Sequence, residues 1–303
     1  GVGFDALAVN TTGSFNVAIG KDVLASNTTA SENSALGYGS LGSNTTGSNN
    51  TALGFKSLES NTTASTNTAV GYESLNKNTT GSENNALGFK SLHKNTTGSE
   101  NIAIGNSALY ENTTGNENTA VGEDALKENT TGGTNTALGM KSLSSNTTGS
   151  RNIAIGYQAY DNADTENDNL AIGYDALGGS IDGGEFNLAL GNYSLDALTT
   201  GDRNVGIGYN SLTANTTGYY NTSSGVNSLK LNTTGNLNVA MGETSLGANT
   251  SGDQNVAIGT YSLTSNTTAS GNTAVGTYAS YYNTTGNSNI SIGYEAIRYN
   301  KTG

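Results

Sequence analysis

Acidic side chains cluster in one stretch of this sequence and could bind a divalent cation. Within eight residues the sequence contains Asp161, Asp164 and Asp168. The next stretch adds Asp182 and Glu185. Carboxylate oxygens on flexible loops are the hard ligands that Ca²⁺ prefers. The spacing matches neither an EF-hand loop nor the nonapeptide calcium repeat. These five residues are therefore calcium candidates, and a solvated acidic surface is the alternative.

Asn-Thr-Thr triplets recur through the chain and fit the N-x-[ST] pattern of N-glycosylation. The same triplet is also typical of turns, in which Asn and Thr side chains bond the local backbone. Both interpretations place the triplet on an outer turn of the chain. The candidate acceptors are Asn10, Asn27, Asn44, Asn61, Asn78, Asn95, Asn112, Asn129, Asn146, Asn215, Asn232, Asn249, Asn266 and Asn283.

The remaining reactive side chains do not form a catalytic pattern. The sequence has no Cys, which removes thiolate metal sites and cysteine nucleophiles. His93 is its single histidine and shares no motif with a Ser or an Asp. Carboxylates such as Glu83 and Glu100 recur at equivalent positions, so no two of them stand out as an acid and base pair. The sequence therefore predicts a protein that is not an enzyme and that needs no cofactor, with Ca²⁺ as the one candidate ion.

The composition departs from that of an ordinary globular domain. Among 303 residues, 42 are Gly, none is Pro, Cys or Trp, 33% are hydrophobic and 12% are charged. A typical domain is nearer half apolar and a quarter charged. The formal net charge of −12 argues against a nucleic-acid or anionic-membrane partner. No apolar run is long enough for a membrane-spanning helix.

A repeat of fixed period organises the whole sequence. Gly3, Gly20 and Gly37 begin a series that continues in steps of 17, with one step of 18 between Gly173 and Gly191. The consensus of the 18 units is G-x-x-[SA]-L-x-x-N-T-T-G-x-x-N-x-A-[VIL]. This predicts one continuous domain, residues 1–303, with a one-residue insertion. Because the repeat is cut at both ends, we expect a piece of a longer chain.

The segment x-A-[VIL] alternates with period two, which predicts a short strand, and [SA]-L predicts a second one. A unit this short leaves no room for a pair of helices, so the fold class expected is all-β, a parallel β-roll or β-solenoid with one rung per unit. If the aliphatic residues that flank Ala18 and Ala35 point inward, the Ala column points outward. A small apolar outward column favours lateral association of chains, most simply a homotrimer. The alternative is that Ala fills a tight monomeric core.

Two further columns predict ladders along the stack. Identical amides at the rung spacing can hydrogen-bond to one another. Aromatic residues that follow the repeat glycine, such as Tyr38, Phe55 and Tyr72, predict stacked rings or, alternatively, a carbohydrate-binding strip. The amide column consists of Asn16, Asn33, Asn50, Asn67, Asn84, Asn101, Asn118, Asn135 and Asn152 and continues to Asn289.

The stretch from Asn101 to Leu109, N-I-A-I-G-N-S-A-L, resembles the head repeats of trimeric autotransporter adhesins. The longer unit with N-T-T-G-S-x-N is similar to repeats of bacterial tail fibre domain-containing proteins. The resemblance covers essentially the whole chain. It implies a left-handed, trimeric parallel β-roll on a cell or virion surface, used for attachment.

The functional expectation is a non-enzymatic extracellular fibre segment that extends and presents a binding surface. Its partners would be further copies of the chain and a host-surface or glycan receptor, with no nucleic acid and no membrane insertion. Two alternatives remain open. One is a filament whose subunits join head to tail, because open solenoid ends are templates for stacking. The other is a repeat surface that binds carbohydrate or ice.

Overall fold

The computed structural model describes residues 1–302, and that part of the chain contains short strands and turns without a helix. The chain divides into two compact units, Gly1–Arg151 and a second that begins at Asn152. Within each unit, strands one repeat apart pair in parallel, which confirms the predicted all-β solenoid with one rung per repeat.

Each rung contributes one strand of three residues. In the first unit the strands are β1 (Val17–Ile19), β2 (Ser34–Leu36), β3 (Thr51–Leu53), β4 (Thr68–Val70), β5 (Asn85–Leu87), β6 (Ile102–Ile104), β7 (Thr119–Val121) and β8 (Thr136–Leu138). In the second unit they are β9 (Ile153–Ile155), β10 (Leu170–Ile172), β11 (Leu188–Leu190), β12 (Val205–Ile207), β13 (Thr222–Ser224), β14 (Val239–Met241), β15 (Val256–Ile258), β16 (Thr273–Val275) and β17 (Ile290–Ile292).

The register within each unit places identical columns side by side. In the first unit Ala18 pairs with Ala35, and the flanking residues pair likewise. In the second unit Ala171 pairs with Ala189, although the step between them is longer by one than the repeat. The inserted residue therefore lies in the loop between these strands and does not shift the register. A shift by one residue would turn every side chain to the other face of the sheet.

The Ala column lies inside the solenoid, opposite to the orientation expected from the sequence. Ala103 of β6 is fully buried, whereas its neighbours Ile102 and Ile104 are 38% and 40% exposed. The interior of a rung is narrow because the buried Leu of the following turn, such as Leu109, already fills much of it. Ala fits in the remaining space and the larger aliphatic side chains do not. The inference of outward alanines was wrong. The third strand position is the aliphatic outward column, and the first is mixed, with Ser34 and Asn85 among its residues.

The predicted second strand, [SA]-L, is a tight turn instead. Leu109 is fully buried, but its φ is 53°, and Ser107 two residues earlier has a φ of 55°. Two left-handed residues in one turn bend the chain too sharply for a strand, at a cost of about 1–2 kcal/mol each. The turn is held because Leu109 donates its N–H to the carbonyl of Ala125 in the next rung, at 3.0 Å, and buries its side chain.

The repeat glycine has the tight environment that the sequence indicates. Gly105 has a φ of 135°, and a Cβ on it would lie 2.4 Å from the carbonyl oxygen of Gly122. Successive rungs therefore approach each other backbone to backbone at this corner, which only glycine permits.

Candidate functional site

The outer face of the strands is a regular apolar feature of the first unit. The third strand position projects outward, and there Leu36, Leu53 and Leu87 are 44%, 43% and 49% exposed. Ile19, Leu36 and Leu53 line an open depression over the buried alanines Ala35 and Ala52. We call this surface the strand face. Monomeric proteins rarely expose contiguous apolar patches of this kind, which are typical of interaction sites.

A column of aromatic rings lies beside the strand face. Tyr38, Phe55, Tyr72 and Phe89 stack one above another with centroids 5.0–5.4 Å apart and planes within 13°. Lys21 lies over the free side of Tyr38, 5.4 Å from its centroid. Because each ring covers the face of its neighbour, these rings present mainly their edges to solvent. That arrangement favours a supporting ladder over a carbohydrate-stacking strip.

The predicted Asn column runs inside the rungs, but in the first unit its amides bond mainly to backbone groups and not to one another. In the first unit Asn33 accepts the backbone N–H of Asn50 on Oδ1, at 2.9 Å. Its Nδ2 donates to the carbonyl of Gly47, at 3.0 Å. Each amide therefore joins its own rung to the next one and satisfies backbone groups that are buried away from water.

The sequon asparagines form a second buried amide column. Asn95 is fully buried, and its Nδ2 donates to Oδ1 of Asn78 and to the carbonyl of Gly98, each at 2.8 Å. The exposed residue of this triplet is Thr97. An oligosaccharide has no access to an Nδ2 that is buried and bonded twice. The folded structure therefore argues against glycosylation at the buried positions, which are all the candidates except the half-buried Asn10, and supports the turn interpretation.

The second unit replaces this amide column by an apolar cluster over three rungs. Ala163, Ile181 and Leu198 occupy the Asn position and are buried. Tyr160 takes the place of the consensus Leu and is fully buried. Its hydroxyl oxygen accepts a hydrogen bond from Nδ2 of Asn169, at 2.6 Å. Burial raises the pKa of the Tyr160 hydroxyl far above its ordinary value, so it stays protonated.

The acidic residues proposed for calcium serve other contacts. Asp161 is 8% exposed and accepts hydrogen bonds from Gln158 and Asn162. Glu185 accepts from Nδ2 of Asn167, at 3.0 Å. Among residues 1–302, no three His, Cys, Asp or Glu side chains converge as metal ligands would. The predicted grouping of Asp161, Asp164, Asp168, Asp182 and Glu185 around one ion is therefore not formed.

Sequence reasoning overlooked Glu166, a carboxylate that is only 3% exposed. It accepts the backbone N–H groups of Asp164, Thr165 and Gly183 at 3.0–3.2 Å. The sequence does mark Glu166 as unusual, because the regular repeats carry Gly or Ala at the equivalent position. Hydrogen bonds to backbone donors compensate the cost of burying the charge and organise the loop that holds the insertion.

Three aspartates of the second unit share one region of its surface. A Cβ placed on Gly178 would lie 2.3 Å from Oδ1 of Asp175 and 3.1 Å from Oδ1 of Asp196, so both carboxylates fill the space that Gly178 leaves. Partial burial, and then the charges of Asp175 and Asp161, raise the pKa of Asp196 to about 6.

His93 takes part in packing within the first unit. Its ring stacks on Tyr110 with centroids 5.2 Å apart, and its Nδ1 lies 3.1 Å from the carbonyl oxygen of Glu73. Glu73 also places a carboxylate oxygen 4.0 Å from the same Nδ1. These contacts give His93 a structural role.

In residues 1–302 the structure contains no helix with the length and apolar character that spanning a membrane requires. Compared with protein-family models, with curated proteins and with solved structures, the chain matches none of them.

Proposed function

We propose that this chain is a non-enzymatic segment of an extracellular fibre, and that copies of it associate side by side through the strand face. The observation that carries the proposal is the outward orientation of the aliphatic column. A side chain such as Leu53 is 43% exposed in the single chain, and it repeats in register along the first unit. A second copy in parallel would bury that column against its own equivalent.

The number of copies that fits this surface most simply is three. The strand face is one side of a rung, and three rungs arranged around a common axis would cover all three faces without leaving an open edge. Closed point-group symmetry is usual for soluble homo-oligomers, and a three-fold ring is one of its forms. The resemblance to adhesin head repeats supports the trimer and a location on a cell or virion surface. The role proposed for the segment is to extend and present a binding surface.

Light scattering on the purified chain, combined with electron microscopy, tests the proposal. We expect a discrete particle with three times the mass of the 30.7 kDa chain. The double variant Leu53→Glu, Leu87→Glu places two charges on the strand face and should reduce the mass to that of one chain, because buried charges without partners are costly. The control is Thr46→Glu, Thr80→Glu, which adds the same charge at exposed turn positions of the same unit.

A wild-type chain that stays monomeric at high concentration would overturn the proposal. The same holds if the strand-face variant keeps the wild-type mass while the circular dichroism of both is unchanged. Filaments that lengthen with concentration and persist in the strand-face variant would favour head-to-tail assembly instead.

A further inference from the structure

An arginine between two aromatic rings is exposed on the second unit, on a turn column separate from the strand face. Arg203 lies with its guanidinium carbon 5.2 Å from the ring centroid of Phe186 and 5.4 Å from that of Tyr220. Phe186 and Tyr220 are each 48% exposed. Tyr219 and Leu237, 44% and 46% exposed, complete what we call the arginine patch.

The solenoid holds the patch in a fixed register. Arg203 donates its backbone N–H to the carbonyl of Glu185, and Tyr220 donates to that of Asp202, both at 3.0 Å. Phe186, Arg203 and Tyr220 are each one rung apart, so stacking follows from the repeat itself. A guanidinium held between two rings loses little further freedom when it binds a ligand.

The guanidinium of Arg203 has its donor edge available. Within residues 1–302 no carboxylate lies within salt-bridge distance of it, and the guanidinium lies over the rings of Phe186 and Tyr220. The adjacent acidic groups are engaged elsewhere: Oδ1 of Asp202 accepts the N–H of Glu185 at 2.8 Å, and Glu185 bonds Asn167. An unpaired guanidinium is a strong bidentate partner for a planar oxyanion.

The patch is a local departure from the repeat. The equivalent position in the first unit carries polar residues in most rungs, such as Glu32, Asn49, Glu83, Glu100 and Glu117. In contrast, the second unit has Phe186, Arg203, Tyr220 and Leu237 there in four successive rungs. Nothing in the packing of the solenoid requires the change, because the column is exposed in both units. The change therefore alters the surface that the second unit offers to a ligand.

We propose that the arginine patch binds a hexuronate unit of an acidic polysaccharide. The carboxylate of the sugar would accept hydrogen bonds from the guanidinium N–H groups of Arg203, and the sugar ring would lie against Tyr219 and Tyr220. These two rings meet at 75° with centroids 5.7 Å apart, and Tyr220 is the one that lies against the guanidinium. A hexuronate carries the matching carboxylate, hydroxyl groups and apolar C–H surface. The site is complete within one chain and does not depend on the proposed side-by-side assembly.

The nearby charges set the affinity. Glu185 and Asp202 repel an anion, and the site is open to solvent, so a single hexuronate contact should be weak, with a Kd of about 1 mM. Screening by salt should weaken it further. Several patches on an assembled fibre would bind a polymer more tightly through avidity.

Titration of the full-length chain with trigalacturonate, followed by NMR of the tyrosine ring protons, tests the proposal. We expect saturable shifts that are lost with the methyl ester of the same trisaccharide, which keeps the rings and removes the charge. Arg203→Gln should weaken binding about tenfold or more. Arg203→Lys should also weaken it, because lysine keeps the charge but not the planar pair of donors.

The matched control is Lys230→Gln, which removes one positive charge from the same unit at a side chain without aromatic partners. It should leave trigalacturonate binding unchanged. Equal binding of the free acid and its methyl ester, equal binding by Arg203→Gln and the wild type, or no saturable binding up to about 10 mM would each overturn the proposal. Because none of these readouts depends on the mass of the particle, failure here is distinguishable from failure of the fibre proposal.

Discussion

Asn112 donates an amide hydrogen to Oδ1 of Asn95 across 2.9 Å, and both side chains are fully buried. Asn95 in turn donates to Asn78, so the same contact repeats from rung to rung of the first unit. Buried amides are costly when they are unpaired and cohesive when they are all paired. The column therefore supplies inside the solenoid part of the cohesion that a larger apolar core supplies elsewhere.

Removing one amide from this column should loosen the rungs around it. Asn95→Ala deletes three hydrogen bonds, removes the Asn95 donor to Oδ1 of Asn78 and leaves Nδ2 of Asn112 with the carbonyl of Gly115 alone. Each net bond contributes about 0.5–1.5 kcal/mol, so we expect a loss of about 3 kcal/mol in local stability. Amide hydrogen exchange of the neighbouring rungs measures it. Thr97→Ala changes an exposed side chain of the same triplet and should have almost no effect.

A change in side-chain size should cost more stability on the inner face of β6 than on its outer face. Ala103→Val adds volume to a filled interior and should cost about 1–3 kcal/mol. Ile104→Ala removes a side chain that is 40% exposed and should cost a single chain much less. Hydrogen exchange at low concentration, where copies do not associate, gives the comparison. The reverse order of effects would show that the alanines point outward after all.

The repeat glycine should tolerate no side chain. In Gly105→Ala the new Cβ would meet the Gly122 carbonyl oxygen at 2.4 Å in a backbone with a φ of 135°. The rungs must separate locally, so we expect lost protection in the adjoining strands. Gly39→Ala is the matched case, because there the φ is 66° and the nearest described atoms are 3.6 Å away. It should cost only about 1–2 kcal/mol, as expected for an alanine in the left-handed region.

The contribution of Asp196 to the stability of the second unit should fall as the pH rises from 3.8 to about 6. The pKa of Asp196 is raised to about 6 in the fold, from an ordinary value of 3.8, so the folded state binds the proton more tightly than the unfolded chain. Its contribution is fully present below pH 3.8 and is lost as the pH rises through 6. Asp196→Asn stays neutral and avoids that loss.

At pH 7 we therefore expect Asp196→Asn to be more stable than the wild type by about 1 kcal/mol, after allowance for solvent screening of a half-exposed group. At pH 4 the two should unfold alike. Thermal unfolding at both pH values provides the check. A variant that is less stable than the wild type at pH 7 would show that the charge of Asp196 is stabilised rather than repelled.

Several features of the fold were predictable because they depend on spacing alone. The period of the repeat located every strand, and alternation around Ala103 identified the strand type. The glycine column predicted the tight corner at Gly105. The place of the insertion was also readable, since the strands on either side of it still had to align Leu170 with Leu188.

Other features gave no signal in the sequence. Leu109 is left-handed in the structure, yet this conformation is ordinarily the property of Gly or Asn, so its sequence pattern favoured a strand. Arg203 and its two rings become neighbours only because the rungs stack, since each lies a whole repeat away from the next along the chain. Glu166 stood out in the sequence only because it replaces the Gly or Ala of the regular repeat, which did not indicate its buried hydrogen bonds.

The sequence by itself determined the period, the parallel solenoid and the columns that run through it. Which side of each strand faces inward was decided only by the tertiary structure. Alternation with period two defines two faces without saying which is buried, because both Ala and its aliphatic neighbours are apolar. The left-handed turn at Leu109 brings that side chain across the rung and narrows its interior. Ala103 fits the space that remains, and Ile104 must face out.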